Sequence, residues 1–499
     1  MKKIIIGFYL CFSILLGQAQ NQGITNIWLM GYESNAGPPS GTTKINFYTG
    51  LPVITYDSLQ MDFDRTHANI SDSAGNILFY TNGYYIADAT NDTMLNGSNI
   101  SPTGFIVFEP YGLTVPQANL IIPKPGSTYL YYLFHSTLDN GPVYNRAYQM
   151  YYSIIDMSLN NGNGEVIQKN TVLINDTLNP GKITACKHAN GRDWWVICHR
   201  FNTNDYYKIL VTPDSIYTPV TQTIGSVRGV DAGQVAFSPD GNKFGYFNAY
   251  NNSNCTLDIY DFDRCTGNFS NPTVITMPQT IGFGGGVIFS PNSQYLYVSD
   301  IDSVFQFDVN APNIELSKVG IAGWDSFYSP NPPFATAFDN IQLAPDGKIY
   351  IGTGNSTFKM HVINHPNIAG LACDLQQHAI NIPTWSVGGV PNHPNYFLGP
   401  ELGSVCDSLP HVGIAENKPE PIPRAFPNPT GGEFTLWFNV HDVQGMCEIY
   451  DANGRLVLSE NVAQWSQYKT LDISGEPEGI YFVKMNWGKK CASVKVMKE

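Results

Sequence analysis

The sequence predicts an all-β protein, a β-propeller of seven or six blades followed by a small β-sandwich. The first observation is a repeated stretch: VAFSPDGNKFGYF begins at Val235, VIFSPNSQYLYVS at Val287 and IQLAPDGKIYIGT at Ile341. The second is the spacing of these copies, about 50 residues, which is the length of one four-stranded propeller blade. The third is a series of alternating strands between Gly-rich turns after residue 424, which predicts a separate antiparallel sandwich.

Each repeat is interpreted as a strand, a tight turn and a second strand. In the copy at Val235, the turn is Pro-Asp-Gly, and Asp-Gly provides the positive backbone angle of a hairpin. A third strand such as LDIYDF and a fourth such as PTVITM follow the hairpin. Looser copies begin at Asn69, Asn119 and Lys182. A closed ring of such units leaves no terminal unit with an exposed edge, whereas the alternatives, a larger sandwich or a solenoid, would need other edge protection.

The flanks of the repeats supply a seventh unit. NIWLMG, TKINFYTG and PVITYD near the start provide three strands, and GVPNHPNYFLG at residues 389–399 would provide the innermost one. Pairing the two ends of the chain in one sheet would hold the ring shut. We therefore favour seven blades over six.

The chain begins with a predicted secretory signal peptide, residues 1–19. Lys2 and Lys3 precede the apolar run from Ile4 to Leu16, and Ala19 offers a small residue for cleavage. The alternative is a short membrane anchor, but the run is shorter than the roughly 18 residues that a span requires. The expected order is then the propeller at 20–400, a Pro-rich linker at 401–424 and the sandwich at 425–499.

Composition limits the class of partner. The chain has 499 residues, of which 14% are charged, and a formal net charge of -14. A negative, weakly charged surface disfavours nucleic acid and acidic membranes. Removal of Cys11 with the signal peptide leaves an even number of cysteines in an exported chain, so disulfides are expected. The candidate pairs are Cys186 with Cys198, Cys373 with Cys406, and Cys447 with Cys491, whereas Cys255 and Cys265 flank a strand too long for a direct bridge and stay unassigned.

Four longer strings carry a resemblance for the large domain. TACKHANGRDWW, YDFDRCTG, QLAPDGKIYIG and HPNIAGLACDL resemble secreted propeller proteins of Bacteroidetes, with blades similar to WD-type and lactonase-like propellers. The resemblance covers roughly residues 25–400 and implies a fold without implying an activity.

The tail resembles the C-terminal sorting domain of the type IX secretion system. The residues that carry the resemblance are Pro427-Asn428-Pro429, IYDANGRLV with Gly454, GIYFVKM with Gly479, and a Lys-containing last strand. The resemblance implies export through the periplasm to the cell surface or the medium, with the secretion machinery as the partner and the tail as a delivery label. The alternative is an ordinary immunoglobulin-like binding module.

No motif for catalysis stands out. Gly-x-Ser-x-Gly, His-Glu-x-x-His and the phosphate-binding loop are all missing from the sequence. DFDRCTG from Asp261 hints at calcium but lacks the Gly and the closing Glu of a calcium loop. Cys186, His188, Cys198 and His199 are an alternative zinc set, less favoured than a disulfide in an exported chain. We therefore expect no cofactor, and catalytic residues stay unassigned.

Alignment of the turns predicts a ligand site where the loops before the innermost strands gather around the channel. The candidate ligand-binding residues are Arg65, His67, Lys182, Arg228, Asp231 and Asp339. Such a mixed ring of charges suits a polar ligand such as a sugar, or it is solvated charge at a wet channel mouth.

Two functions follow from these observations. The first is a binding or adhesion module for a glycan or a surface protein. The second is an enzyme, either a polysaccharide hydrolase or lyase or a lactonase-like esterase. A lactonase would need a metal held at the channel, for which Asp231, Asp339 and Asn340 are the only candidates that the turns align.

Overall fold

A computed structural model describes residues 23–33, 36–102, 111–138, 146–229, 232–249, 254–277, 284–330, 333–407, 423–441, 443–488 and 490–499. The predicted signal peptide and most of the predicted linker lie outside these residues. The regular structure is almost entirely β-strand, with short 3₁₀ helices at Asn160–Gly162, Glu315–Ser317 and Gly370–Cys373. Among the described helices, none has the length and hydropathy needed to span a membrane.

The first three sheets of the large domain begin at residue 27. The first contains β1 (Ile27–Met30), β2 (Thr42–Asn46) and β3 (Val53–Asp57), and the second contains β4 (Ala68–Ser71), β5 (Ile77–Thr81) and β6 (Ile86–Asp88). The third contains β7 (Asn119–Pro123), β8 (Leu130–Ser136), β9 (Ala147–Asp156) and β10 (Glu165–Leu178).

The next four sheets each have four strands. The fourth contains β11 (Thr184–Lys187), β12 (Trp194–His199), β13 (Thr203–Val211) and β14 (Val220–Arg228), and the fifth contains β15 (Val235–Phe237), β16 (Lys243–Asn248), β17 (Cys255–Asp263) and β18 (Asn268–Met277). The sixth contains β19 (Gly286–Phe289), β20 (Tyr295–Asp300), β21 (Ser303–Asp308) and β22 (Val319–Gly323). After the short ribbon of β23 (Tyr328–Ser329) and β24 (Phe334–Ala335), the seventh contains β25 (Phe338–Leu343), β26 (Ile349–Thr353), β27 (Thr357–Ile363) and β28 (Leu375–Ser386).

These sheets form a β-propeller. Strands that follow one another pair antiparallel within each sheet, and the first strands of successive sheets lie side by side, as β15 does with β19 and β19 with β25. The last strand, β28, packs against β2 and β3 of the first sheet, so that the two ends of the series meet. The described residues thus contain seven sheets in the ring, and the hairpins predicted from the repeats are all present.

The ring has two faces, because successive strands of a sheet run in opposite directions. We call the face with the loops that lead into the first strands of the second to seventh sheets the mouth face, and the opposite face, with the turns between the first and second strands of those sheets, the hairpin face. The β2–β3 turn belongs to the hairpin face, since Tyr48 lies against Gly75 in the β4–β5 turn. The β1–β2 loop therefore lies on the mouth face.

The predicted innermost strand at 389–399 is wrong, because this part of the chain forms no strand and pairs with no sheet. Pro391 and Pro394 lack the backbone N–H groups that a ladder needs. The first sheet has three strands, and Val390 packs in the same core cluster as Trp28. We call residues 388–399 the axial segment, because they contact the first strands of several sheets at once.

Side chains of the axial segment bind those first strands. The Asn392 amide donates to the backbone oxygens of Asn119 and Ile183, both at 2.8 Å, and His393 Nε2 lies 2.9 Å from the Asn69 oxygen. Tyr396 donates its hydroxyl hydrogen to the Ile121 oxygen at 2.7 Å. A segment that reaches the second, third and fourth sheets in this way must lie on the axis of the ring. The protein therefore fills its own channel.

The disulfide pairing differs from the predictions. The structure joins Cys265, in the β17–β18 turn, to Cys406, with a Cα–Cα distance of 5.6 Å. The predicted partner of Cys406, Cys373, is instead a buried free thiol in the core beside the seventh sheet. The sequence prediction failed because it did not include the path of the axial segment, which carries the chain from the seventh sheet across the ring to the fifth.

The other two predicted pairs are also wrong. Cys186 and Cys198 point into different core clusters on opposite sides of the fourth sheet, and both are free. Because the two thiols lie on opposite sides of the sheet, Cys186 and Cys198 cannot share one zinc ion with His188 and His199. In the tail, Cys447 is opposite Met485 and faces the core, whereas Cys491 is opposite Asn486 and is exposed. Neighbouring positions of a strand face opposite sides of a sheet, so no bridge forms between them.

The tail forms the predicted sandwich. One sheet contains β29 (Arg424–Phe426), β30 (Glu433–Trp437) and β33 (Tyr468–Asp472), and the other contains β31 (Gly445–Asp451), β32 (Leu456–Val462), β34 (Gly479–Trp487) and β35 (Lys490–Lys498). Both sheets contribute to one core, in which Phe434 and Leu436 meet Ile449 and Val483. Asn428 of the Pro-Asn-Pro motif bonds the backbone of β35 at Lys495 and Met497, both at 2.8 Å, which ties the start of the domain to its last strand.

The tail domain packs on the hairpin face of the propeller. Glu433 pairs with Lys348 at 3.8 Å, and Trp465 packs against the cluster that contains Leu398. At Gly399, where the axial segment leaves the ring, a Cβ atom would come within 2.1 Å of the Trp465 ring, so only glycine fits there. A cavity of about 260 Å³ lies between the seventh sheet and the tail domain. Among the described residues, the mouth face carries none of these contacts.

Candidate ligand-binding site on the mouth face

Two of the predicted ligand-binding residues meet at the mouth of the ring. Arg65 precedes β4, Asp339 lies in β25, and Arg65 Nη2 is 3.3 Å from Asp339 Oδ2. Asp339 Oδ1 accepts a hydrogen bond from the backbone N–H of Gly285 at 2.9 Å. Burial raises the pKa of Asp339, and Arg65 opposes that shift. The pair therefore links the second and seventh sheets while Arg65 keeps an exposed edge.

His67 lies deeper than predicted. It is 2% exposed, and its backbone oxygen accepts from the N–H of Asn392 at 3.3 Å. Burial lowers the pKa of His67 to about 3, with a smaller contribution from His393. Within the described ranges, neither ring nitrogen of His67 has a hydrogen-bond partner. The axial segment covers this histidine, which leaves it out of reach of a ligand at the mouth.

Lys182 and Arg228 lie in the wall between the fourth and fifth sheets. Arg228 ends β14 and forms a two-pronged ion pair with Asp258 of β17, with a distance of 2.8 Å from Nε to Oδ2. Lys182 Nζ donates to the Ala232 oxygen at 3.2 Å, and burial lowers the pKa of Lys182 to about 7. Both side chains are thus used inside the protein. Asp231 lies outside the described residues.

The axis below the mouth is closed by amide side chains. Gln117 bonds the backbone N–H and oxygen of Val235, both at 2.9 Å, and also donates to Asn392 Oδ1 at 3.3 Å. Gln234 accepts from the N–H of Ile341 at 2.8 Å. These bonds join sheets that are not neighbours in the ring. A ligand that approaches the mouth therefore meets a floor of protein rather than an open channel.

An aromatic strip that the sequence did not predict lies on the mouth face. It consists of Tyr111, Tyr32, Trp385 and Phe358, each partly exposed. The ring centres of Tyr111 and Tyr32 are 5.5 Å apart, those of Tyr32 and Trp385 6.5 Å, and those of Trp385 and Phe358 6.0 Å. The four rings therefore follow one another in a continuous line.

Polar groups hold the strip in place and connect it to the charged pair. The Tyr111 hydroxyl donates to Glu33 at 3.0 Å, and the Tyr32 hydroxyl donates to Ser356. Ser356 comes two residues after Gly354, and Gly354 lies beside the Asp339 carboxylate. A Cβ atom placed on Gly354 would be 3.3 Å from Asp339 Oδ2. The strip and the pair thus belong to one surface, which we call the mouth patch and define as Tyr32, Arg65, Tyr111, Asp339, Phe358 and Trp385.

The sequence offered little signal for this strip. Its residues come from the β1–β2 loop, the loop before β7, the start of β27 and the end of β28, outside the repeated hairpin turns. They meet because the first sheet packs against the seventh and because the loop before β7 reaches the β1–β2 loop, both of which are long-range contacts.

Across the described ranges, no three His, Cys, Asp or Glu side chains are grouped so that they could hold a metal ion. Of the metal ligands suggested for a lactonase, Asp339 is engaged with Arg65, and the carbonyl oxygen of Asp339 accepts from the Ser299 hydroxyl. Burial, together with Asp302, raises the pKa of Asp300 to about 6. Asp300, at the end of β20, is therefore the carboxyl group of the sixth sheet whose pKa lies closest to neutral pH.

Comparisons with solved structures find only distant similarity. A functionally unknown protein from Desulfotomaculum acetoxidans is 14% identical, with a TM-score of 0.39 over 74% of this chain and 100% of that one. A periplasmic gluconolactonase from Pseudomonas aeruginosa is 13% identical, with a TM-score of 0.33 over 74% and 96%. A quinoprotein alcohol dehydrogenase-like protein from Bacteroides thetaiotaomicron is 10% identical, with a TM-score of 0.36 over 74% and 77%. Similarity at this level carries no argument about the ligand.

The tail has a specific match. Among curated proteins none matches this chain. Residues 424–499 match the family described as the secretion system C-terminal sorting domain. The match begins at the first strand of the sandwich and includes the turn glycine Gly454, with φ +81°, and Gly479 at the start of β34. The protein therefore carries a type IX C-terminal sorting domain and is exported to the cell surface or the extracellular space.

Proposed function

We propose that the propeller is a binding module that works outside the cell and holds its ligand on the mouth patch. The observation that carries this proposal is the continuous line of four partly exposed aromatic rings beside the Arg65–Asp339 pair. Exposed aromatic side chains that are fixed by packing and hydrogen bonds give a large contact area at a low entropic cost.

The chemistry of the mouth patch suits a carbohydrate chain. The C–H faces of sugar rings stack on aromatic rings, and the sugar hydroxyl groups bond charged and amide groups at the edge of such a surface. Arg65 supplies donors and Glu33 supplies acceptors next to the rings. A neutral glycan also fits a protein with few charges and a formal net charge of -14, because it meets no electrostatic repulsion.

The filled channel supports binding over catalysis at the axis. Propeller enzymes need reactive groups that converge in a pocket, where water is excluded. Here the axial segment and the amide side chains of Gln117 and Asn392 occupy that position. An extended ligand on the surface needs no such pocket.

The test uses the full-length protein after removal of its signal peptide. It is incubated with a panel of polysaccharides and of lactone and ester substrates, and retention and released product are scored together. We expect retention of one polysaccharide class without product. In Tyr111→Ala and Phe358→Ala, retention of that class should fall at least tenfold, while Tyr48→Ala on the hairpin face should bind normally. Product release that persists in the purified protein would establish the enzyme alternative instead.

A further inference from the structure

The sorting domain presents only one of its two sheets to solvent over a broad face. The sheet of β29, β30 and β33 faces the propeller, where Glu433 pairs with Lys348 and the Tyr468 ring lies against Gly347. Burial at this contact, together with Asp346, raises the pKa of Tyr468. The outer face of the sheet β32-β31-β34-β35 is on the far side of the sandwich. We call it the free face.

The free face exposes a cluster of large apolar side chains. Strand register places Phe482 between Tyr450 on one side and Lys495 on the other, and it places Ile480 opposite Met497. Five apolar side chains of the sheet that point outward are 38–49% exposed, namely Met446, Leu456, Ile480, Phe482 and Met497. Clusters of this kind on the surface of a soluble domain mark interaction sites.

Lysines border this apolar cluster. Lys495 lies directly opposite Phe482, and Lys484 follows two positions along the same strand on the same face. Lys484 is also opposite Glu448 of β31, an acidic side chain on the same face of the sheet. The free face therefore combines apolar contact area with a positive edge, although the whole chain is acidic.

We propose that the free face is the surface by which the export machinery holds this protein, and that its partner is a protein surface with an apolar groove edged by carboxylates. The sorting domain exists to be recognised during export, and the docked propeller covers the other sheet. Recognition must therefore use a surface that stays open while the cargo is attached. The free face satisfies that condition and carries the matching chemistry for an apolar, acidic partner.

The test is export of the full-length chain from a bacterium with a type IX system. The variants are Ile480→Ser with Phe482→Ser, which removes the apolar centre, and Lys484→Glu with Lys495→Glu, which reverses the edge. The matched control is Tyr48→Ser with Val53→Ser, because these two propeller residues are 51% and 49% exposed. We expect both free-face variants to reduce export at least tenfold and to accumulate in the periplasm, and the control to be exported normally.

Two further measurements separate recognition from folding. The melting temperatures of the purified variants should stay near that of the unchanged protein, since the altered side chains point outward. A photoreactive phenylalanine analogue at position 482 should crosslink to a component of the machinery, whereas the same analogue at position 48 should not. Normal export of the folded free-face variants, or equal crosslinking from both positions, would overturn the proposal.

Discussion

Replacement of Asn392 by leucine tests whether the axial segment holds the ring together. Leucine keeps the size of the side chain but removes two donated hydrogen bonds, to the Asn119 and Ile183 oxygens, and the bond accepted from Gln117. Each buried group that loses its partner costs about 1–3 kcal/mol, so the two carbonyl groups alone give a loss of about 2–6 kcal/mol. That loss is large compared with a typical net stability of about 5–15 kcal/mol.

The assay is urea unfolding of the full-length protein, followed by tryptophan fluorescence, with Asn310→Leu at an exposed site as the control. The unfolding midpoint of the Asn392 variant should fall clearly, and that of the control should stay within experimental error. Equal midpoints for both variants would refute the reasoning, because they would mean that the bonds from the axial segment to the first strands contribute nothing to the ring.

Three other predictions concern buried groups. Arg228→Ala should lower the free energy of unfolding by about 3–5 kcal/mol, because it leaves the buried Asp258 carboxyl group without its ion-pair partner. Equal urea unfolding midpoints for this variant and the unchanged protein would contradict that reasoning. Burial lowers the pKa of His135 to about 3, below its ordinary 6.5, so between these pH values the unfolded state binds a proton that the folded state does not. The stability of the protein should therefore rise with pH across that window. At pH 5, His135→Gln should reduce the number of protons taken up on unfolding by about one. Mass spectrometry of unreduced digests should find Cys265 linked to Cys406, and a digest with Cys373 in that bridge would contradict the path of the chain.

The repeat made much of the ring predictable. Asp-Gly turns such as Asp240-Gly241 require a positive φ, which is +77° at Gly241, and the strands on either side follow from their apolar alternation. The sorting domain was predictable for the same reason and also by resemblance. These features depend on residues close together in the chain.

The site depended on contacts that no local pattern encodes. Arg65 and Asp339 lie together because they precede or begin first strands, which is a position that the repeat defines, and their role in ligand binding stays a prediction. Arg228 was misjudged, since its partner Asp258 comes from the next sheet. The sequence of the axial segment resembles a strand, and the first sheet has only three strands, so the segment was predicted to complete that sheet. Its prolines prevent the backbone pairing that a strand needs. Its polar side chains instead bond groups on several sheets, which come together only in the closed ring.

The two domains point their exposed surfaces in different directions. The sorting domain occupies the hairpin face, where Trp465 covers the exit of the axial segment at Gly399. The mouth patch is on the opposite side of the ring. Under the proposed function, we therefore expect removal of the sorting domain to leave the affinity for the ligand unchanged.

The measurement that tests the central claim most directly is the dissociation constant of the retained polysaccharide for matched variants on the two faces. Tyr111→Ala alters the mouth patch, and Tyr48→Ala alters an exposed tyrosine on the hairpin face. We predict that Tyr111→Ala weakens binding at least tenfold, which is about 1.4 kcal/mol, while Tyr48→Ala leaves it unchanged. Unchanged binding in Tyr111→Ala, with loss in Tyr48→Ala, would contradict the account and place the ligand on the hairpin face.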